Sequence, residues 1–216
     1  MRKTVGEPSQ WMMAAVRPLG QKVVIVGAGV VGRRRAMLLA GHGADVRLYD
    51  PHVELSADDL PGNVRFYKRR VGKRDLLNAW LVVVATNDDD TNRTVGEWVE
   101  EFGLECNRAD DVDEGSFAVP AMVSKEQGWQ MAILGGEAGP LFSTWMKGLI
   151  EQVISLPKVA QVYDALAGAR SELRYFPLGA EDRAEIMRIV MSAALEADDE
   201  VDGAELARVL AGKKTG

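Results

Sequence analysis

The chain contains very little cysteine or histidine. Its 216 residues include one cysteine, Cys106, so an intrachain disulfide is excluded, and this is compatible with a reducing cytoplasm. The two histidines, His42 and His52, lie in no cysteine–histidine spacing of the zinc type. We therefore predict no metal ligands.

Long hydrophobic runs and an excess of positive charge are also missing. No apolar run approaches the roughly 20 residues of a membrane-spanning helix. In the N-terminal MRKTVGEPSQWMMAAVRPLG, Glu7, Pro8 and Gln10 interrupt any apolar stretch, which indicates a leader strand or arm rather than a signal peptide. The net charge of −6 and the pI near 5.1 argue against non-specific binding to nucleic acid or anionic membranes. We expect a cytoplasmic protein with neither as a partner.

Apolar residues make up 47% of the chain, enough for the core of one ordinary domain, with or without a smaller appendage. In the first half, short β-branched segments alternate with helical ones, which predicts βαβ units and a parallel sheet. The predicted strands are KVVIV, ADVRLYD, VRFYKR, WLVVVAT and LECNRA. The predicted helices are RRRAMLLAGHG, KRDLLNA and DTNRTVGEWVEEFG.

The motif GAGVVG follows the first strand and opens the first helix. Gly27 permits a tight turn, Gly29 lets the backbone approach a pyrophosphate, and Gly32 lets the helix pack closely on the strand. This G-x-G-x-x-G pattern, with Ala28, Val30 and Val31 between the glycines, predicts a dinucleotide site. The alternative is a glycine turn in a sheet that binds no ligand.

Asp50 follows about 20 residues later, at the end of the second strand. A carboxylate there accepts hydrogen bonds from ribose hydroxyls and repels a 2′-phosphate, so NAD is favoured over NADP. Arg33, Arg34 and Arg35 lie in the first helix and cannot all face the ribose, so we expect at least two of them to be solvated.

The fourth strand ends in ATNDDDTN. Ligands of open α/β sheets bind beyond the carboxyl ends of the strands, so we predict that Thr86 and Asn87 contact the cofactor. One of Asp88 to Asp90 is expected to cap the next helix. On that helix, we expect Asn92 to lie on the polar side.

The second half has a different pattern. FAVPAMV and WQMAILG predict two strands joined by a polar turn. A lone two-stranded unit is marginal in water, so we expect it to pack against a partner subunit. Gly139 and Pro140 suit a helix start, and Leu141, Trp145, Leu149 and Val153 share one face of that helix, where we expect core packing. Further helices follow, including AEDRAEIMRIVMSAALE and DGAELARVLAG.

Several motifs follow one another along the chain: VVIVGAGVVGRRRAMLL, VVVATNDDDTN, CNRADDVDEGSFAVPA, a hairpin, and Gly-Pro before a helix. Their order resembles that of the precorrin-2 dehydrogenase/sirohydrochlorin ferrochelatase family. The resemblance runs from about Leu19 to about Gln152. It implies an α/β fold with an N-terminal Rossmann domain (1–112), a small β dimerisation region (113–140) and a C-terminal helical domain (141–216). It also implies a homodimer that oxidises the tetrapyrrole precorrin-2 to sirohydrochlorin with NAD, and in some members inserts ferrous iron.

The resemblance further implies site residues. The family's N-x-x-D pattern before Ser-Phe matches Asn107 to Asp110, with Ser116 and Phe117 after it. This makes Asp110 the predicted catalytic carboxylate, and a general base at a strand's carboxyl end suits a reaction that releases protons. Asp111, Asp113 and Glu114 are the alternatives. Predicted substrate contacts are Asn107, Ser116, Gly135 and Gly136.

One loop departs from the family pattern. LGGEAGP stands where the family has a hydroxyl-bearing run, and Glu137 is expected to repel a substrate rich in carboxylates. Two other functions stay open: a non-catalytic NAD-binding sensor or regulatory subunit, and a tetrapyrrole-handling chelatase without dehydrogenase activity. A sensor has no need of N-x-x-D before Ser-Phe and a hairpin.

Overall fold

A computed structural model describes residues 11–109, 114–124 and 128–215, apart from the side chain of Glu137. The chain forms two compact units, Met1–Val119 and Pro120–Gly216. The three-part division at 112 and 140 stays a prediction. Within the described residues, no helix combines the length and apolar character needed to cross a bilayer.

The first unit is built on a five-stranded sheet in which every pairing is parallel, in the order β3-β2-β1-β4-β5. The strands are β1 (Lys22–Val26), β2 (Asp45–Tyr49), β3 (Val64–Tyr67), β4 (Leu81–Val84) and β5 (Glu105–Arg108). The order changes direction between β1 and β4, so their carboxyl ends flank the crevice where open α/β sheets bind ligands. The predicted Rossmann sheet is confirmed.

Two helices cover opposite faces of this sheet. They are α1 (Val30–Gly41) and α2 (Asp89–Phe102). Val23 and Ile25 of β1 lie in the core that includes α1, and Val24 and Val26 lie in the core that includes α2. Because alternate residues of a strand point to opposite faces, the unbroken KVVIV run serves both cores.

The crossover from β3 to β4 contains a short 3₁₀ helix, Lys73–Leu76, at the predicted KRDLLNA helix. Gly72 and the Asp75 carboxylate form its capping interaction, and Leu76 is fully buried. Leu76 packs in the same apolar core as Val95 and Val99 of α2.

The second unit begins with an antiparallel pair, β6 (Ala121–Ser124) and β7 (Gln130–Ile133). β6 starts later than the predicted FAVPAMV because Pro120 has no N–H to donate to a ladder. Four helices follow: α3 (Gly139–Ile154), α4 (Pro157–Glu172), α5 (Ala180–Glu196) and α6 (Gly203–Thr215). α4, α5 and α6 share one apolar core that contains Ala169, Ile186 and Ala207.

The described residues leave the apolar face of α3 exposed. Leu141 is 85% exposed, Trp145 59%, Leu149 40% and Val153 59%. The prediction that they share a helical face fits the observed helix, but the expectation of core packing is wrong for the part of the chain that the structure describes.

Candidate functional site

A cleft of about 780 Å³ lies at the carboxyl edge of the sheet in the first unit. Its walls come from the loop after β1, the loop after β2, the segment after β3, and the loop after β4 with the first turns of α2. Seven of the nine predicted cofactor residues line it: Gly27, Gly29, Val30, Val31, Asp50, Thr86 and Asn87. Ala28 and Gly32 do not line the cleft but belong to the same loop.

The glycines of GAGVVG are required by close contacts. Gly27 has φ +102°, and a Cβ there would lie 2.4 Å from the Ala85 carbonyl oxygen. A Cβ on Gly32 would lie 1.9 Å from the Gly27 carbonyl oxygen, so the start of α1 and the loop fit together only without a side chain. A Cβ on Gly29 meets nothing within 4 Å, which leaves open space beside the backbone at the N-cap of α1. This arrangement suits a phosphate group next to the helix N-terminus.

Asp50 is bound to the backbone through both carboxylate oxygens. Its Oδ2 accepts from the Ala28 N–H at 2.8 Å, and its Oδ1 accepts from the N–H groups of His52 at 2.8 Å and Val53 at 3.0 Å. Burial raises the pKa of Asp50, but the three backbone donors favour the charged form and the net pKa lies below the ordinary value of 3.8. Asp50 therefore presents a fixed negative charge in the cleft and ties the glycine loop to the end of β2.

The amide of Asn92 was wrongly expected on the polar side of α2. Asn92 is 1% exposed; its Nδ2 donates to the Thr86 carbonyl oxygen at 3.1 Å, and the Thr86 hydroxyl donates to its Oδ1 at 2.5 Å. A buried amide that satisfies a neighbouring loop holds that loop in place. Asn92 thus positions Thr86 at the cleft, while Asn87 is exposed beside it.

Two residues of the cleft lining, Tyr49 and Arg69, belong to an aromatic and charged cluster with Tyr67 and Asp75. The rings of Tyr49 and Tyr67 stack with centroids 4.8 Å apart, and the Arg69 guanidinium carbon lies 5.0 Å and 5.5 Å from the two centroids. Asp75 binds Arg69 through two contacts of 2.7 Å and 2.9 Å. The Arg69 hydrogen bonds outweigh the effect of burial and lower the pKa of Asp75 to about 2, whereas burial raises the pKa of Tyr49 to about 12.

Asp88 is the residue that caps α2. Its Oδ1 accepts from the Thr91 N–H at 3.2 Å, as the acidic run predicts. Arg70 reaches the same turn, with its Nη1 3.2 Å from the Thr91 hydroxyl and 3.5 Å from Asp88 Oδ2. Of the three predicted arginines of α1, Arg33 and Arg34 are exposed.

Asp110, the predicted catalytic residue, lies outside the described residues together with Asp111 and Asp113, and its role stays a prediction. The chain on either side is described. The Ala109 N–H donates to the Val84 carbonyl oxygen at 2.9 Å, so the ladder between β4 and β5 continues to that residue. Glu114 pairs with Arg108 at 2.8 Å.

The two predicted substrate contacts near β5 are engaged with the chain itself. Asn107 is 3% exposed and its Nδ2 donates to the Phe117 carbonyl oxygen at 2.8 Å. The Ser116 hydroxyl accepts from the Cys106 N–H at 3.0 Å and donates to Glu105 at 2.6 Å. These bonds hold Ser116 and Phe117 against β5.

Gly135 and Gly136 lie in the second unit, before α3. A Cβ on Gly135 would come within 2.2 Å of the Gly139 carbonyl oxygen and 2.7 Å of the Ser143 hydroxyl. Gly136 has φ +53° and open space around it. Gly135 therefore has a packing role whatever the loop binds. Among the described residues, no three His, Cys, Asp or Glu side chains form a group that could hold a metal ion.

Several known proteins are similar to this chain in sequence or in fold. The chain is 32% identical over 130 residues to the precorrin-2 dehydrogenase of Priestia megaterium, covering 59% of this chain and 63% of that protein. It is 30% identical over 107 residues to the precorrin-2 dehydrogenase of Bacillus subtilis (strain 168), covering 49% and 65%. It is 28% identical over 204 residues to siroheme synthase 1 of Aeromonas salmonicida (strain A449), covering 90% and 42%. The chain thus spans less than two thirds of the length of each of these relatives.

The solved structure of SirC, a precorrin-2 dehydrogenase, matches 93% of this chain over 98% of its own length, with a TM-score of 0.73 and 23% sequence identity. This likeness confirms the predicted fold, a Rossmann sheet followed by a helical region. A family model with the description "Putative NAD(P)-binding" matches residues 14–121, half of the chain. The chain belongs to this NAD(P)-binding family, which confirms the nicotinamide dinucleotide cofactor predicted from the GAGVVG loop and Asp50.

Proposed function

We propose that this protein oxidises precorrin-2 to sirohydrochlorin with NAD as the hydride acceptor. The observation that carries the proposal is the 32% identity to a precorrin-2 dehydrogenase over 130 residues, in a chain that also presents the dinucleotide cleft. In this reaction the substrate loses two hydrogens, of which one leaves as a hydride to the nicotinamide and the other as a proton. The cleft fixes the cofactor, and a base must take the proton.

Asp110 is our candidate for that base. It follows Ala109, which is still paired with β4, and β4 supplies Thr86 and Asn87 to the cleft. The carboxyl ends of neighbouring parallel strands lie at one edge of a sheet, so a carboxylate directly after β5 is well placed for substrate beside the cofactor. Asn107, Ser116, Gly135 and Gly136 stay proposed substrate contacts.

The functional unit that we propose is a homodimer. The exposed apolar face of α3, defined by Leu141, Trp145, Leu149 and Val153, supports this proposal, because an exposed apolar patch on a monomer usually marks an interaction site. Trp145→Asp places a charge in this face and should convert the dimer to a monomer in sedimentation velocity. Tyr175→Asp is the matched control, since Tyr175 is an aromatic residue of the same unit that is 83% exposed and lies outside the α3 face. A wild-type protein that sediments as a monomer at all concentrations would exclude the dimer.

An anaerobic assay tests the activity. The protein is mixed with precorrin-2 and NAD, and the spectra of sirohydrochlorin and NADH are followed together. We expect the two products in equal amounts, and we expect Asp110→Asn to abolish turnover while the affinity for NAD stays at the wild-type value. Asp111→Asn, an identical change one residue away, is the control. If the Asp111 variant is inactive and the Asp110 variant is active, the base is misassigned.

Two further outcomes identify the alternatives. A protein that binds NAD but produces no NADH above the uncatalysed rate is a sensor or regulatory subunit. Incorporation of ferrous or cobaltous ions into sirohydrochlorin, without oxidation of precorrin-2, identifies a chelatase.

A further inference from the structure

We propose that Asp75 sets the preference for NAD over NADP by occupying the guanidinium of Arg69, so that Arg69 cannot bind a phosphate at the 2′-position of the adenosine ribose. The ordinary determinant of this preference is an acid at the end of the second strand, which is Asp50 here. Asp75 lies outside that fingerprint, in the crossover after β3. The proposal concerns cofactor binding and does not depend on which substrate is oxidised.

Arg69 lies beside Asp50. The N–H groups of both residues donate to the same Tyr67 carbonyl oxygen, Asp50 at 3.2 Å and Arg69 at 2.8 Å. Both residues line the same cleft as Gly27 and Gly29. A nicotinamide dinucleotide whose ribose meets Asp50 therefore brings its 2′-position towards Arg69.

An arginine in this position is the group that NADP-binding sites use. A guanidinium near the end of the second strand accommodates the 2′-phosphate through charge and paired N–H donors. Arg69 is half-exposed, so it is accessible to a ligand in the cleft. On its own it would compete with Asp50 and weaken the discrimination against NADP.

Asp75 occupies the binding edge of that guanidinium. Its two oxygens lie 2.7 Å and 2.9 Å from Nη1 and Nη2 of Arg69, which is the fork geometry that a phosphate would need. Asp75 is itself fixed by the Gly72 N–H at 2.8 Å and by the Tyr49 hydroxyl. The rings of Tyr49 and Tyr67 support the other side of Arg69. Neighbouring groups thus hold both members of the pair in place, and the negative charge of Asp75 compensates the positive charge of Arg69.

Arg70 provides a weaker version of the same arrangement. It also lines the cleft, but its contact with Asp88 is a single one at 3.5 Å, and its side chain is 68% exposed. Because exposed and long ion pairs restrain a side chain little, we assign the main effect to Asp75 and Arg69.

The test is a titration of NAD and NADP by isothermal calorimetry, which needs no turnover. Asp75→Asn keeps the size of the side chain and an acceptor for the Gly72 N–H but removes the charge that holds Arg69. We expect it to improve the NADP affinity relative to NAD by at least about tenfold. Asp90→Asn is the matched control, since Asp90 is another acid of the cleft and its variant changes the net charge equally.

The double variant Asp75→Asn with Arg69→Met should lose the gain, because the released guanidinium is absent. Arg69→Lys tests the pair from its other side and covers the case in which Asp75→Asn does not fold. Lysine cannot form the two-point contact, so its mobile ammonium should raise the relative NADP affinity severalfold. The proposal is wrong if Asp90→Asn matches the effect of Asp75→Asn, if the double variant keeps the gain, or if neither Asp75→Asn nor Arg69→Lys changes the ratio.

Discussion

Replacing Asp50 by asparagine should destabilise the first unit as well as weaken cofactor binding. An asparagine side chain keeps one acceptor oxygen, which can serve the N–H groups of His52 and Val53. Its NH₂ group then faces the Ala28 N–H, which in the native protein donates to Asp50 at 2.8 Å. Ala28 is fully buried, so water cannot replace the lost acceptor of its N–H group. The substitution removes one charge-assisted hydrogen bond, leaves its buried donor unpaired and weakens two other bonds. Together these changes should lower the free energy of unfolding by roughly 2–4 kcal/mol.

The stability lost in Asp50→Asn should depend on pH. The folded-state pKa of Asp50 is lowered from 3.8, so its contribution to stability is present above pH 3.8 and is lost as the pH falls through the folded value. The difference in unfolding free energy between wild type and Asp50→Asn should therefore be full at pH 7 and shrink below about pH 4.

Urea unfolding followed by tryptophan fluorescence, at pH 7 and at steps down to pH 3, measures this difference. Asp58→Asn is the control, because Asp58 is an exposed acid of the following loop. A difference at pH 7 no larger than that of the control, about 0.5 kcal/mol or less, would refute the anchoring role. So would a large difference that stays constant down to pH 3.

Three further substitutions distinguish residues that stabilise the fold from residues that contact the cofactor. Gly32→Ala should reduce stability strongly and abolish NAD binding, because the new Cβ would lie 1.9 Å from the Gly27 carbonyl oxygen; thermal unfolding and an NAD titration measure both effects. Gly29→Ala meets no protein atom within 4 Å, so its melting temperature should equal that of wild type while NAD binds at least about tenfold more weakly. Asn92→Leu should lower the unfolding free energy by roughly 2–4 kcal/mol, because it removes both bonds to Thr86, and an unchanged urea midpoint would contradict this.

The sheet was predictable because each strand carries its own signal. β1 has the predicted bounds, Lys22–Val26, and the other strands of the first unit begin within one residue of their predicted starts. Buried parallel strands are β-branched and continuous, and glycine or polar residues bound them, so pattern and structure agree. The GAGVVG loop is equally local: the contacts of Gly27 with Ala85 and of Gly32 with Gly27 require glycine at both positions.

The wrong expectations concern side chains whose partners are distant or absent. Asn92 was placed in solvent because hydropathy alone assigns an amide to the polar side of a helix, whereas its partner is the loop six residues earlier. The link between Arg69 and Asp75 has no sequence signature, because a short 3₁₀ helix brings the two charges together. The face of α3 was recognised as apolar, but a pattern cannot tell whether the chain itself or a second molecule covers that face.

Ser116, a proposed substrate contact, also forms several hydrogen bonds within the chain. Its hydroxyl already accepts from the Cys106 N–H and donates to Glu105, while its own N–H donates to the Cys106 carbonyl oxygen at 2.9 Å. If holding the chain against β5 is its main role, Ser116→Ala should lower the unfolding free energy by about 1–2 kcal/mol, and Ser116→Thr, which keeps the hydroxyl, should restore it. The KM for precorrin-2 should then stay at the wild-type value in both variants. A KM that rises in Ser116→Ala without any loss of stability would instead place this hydroxyl on the substrate.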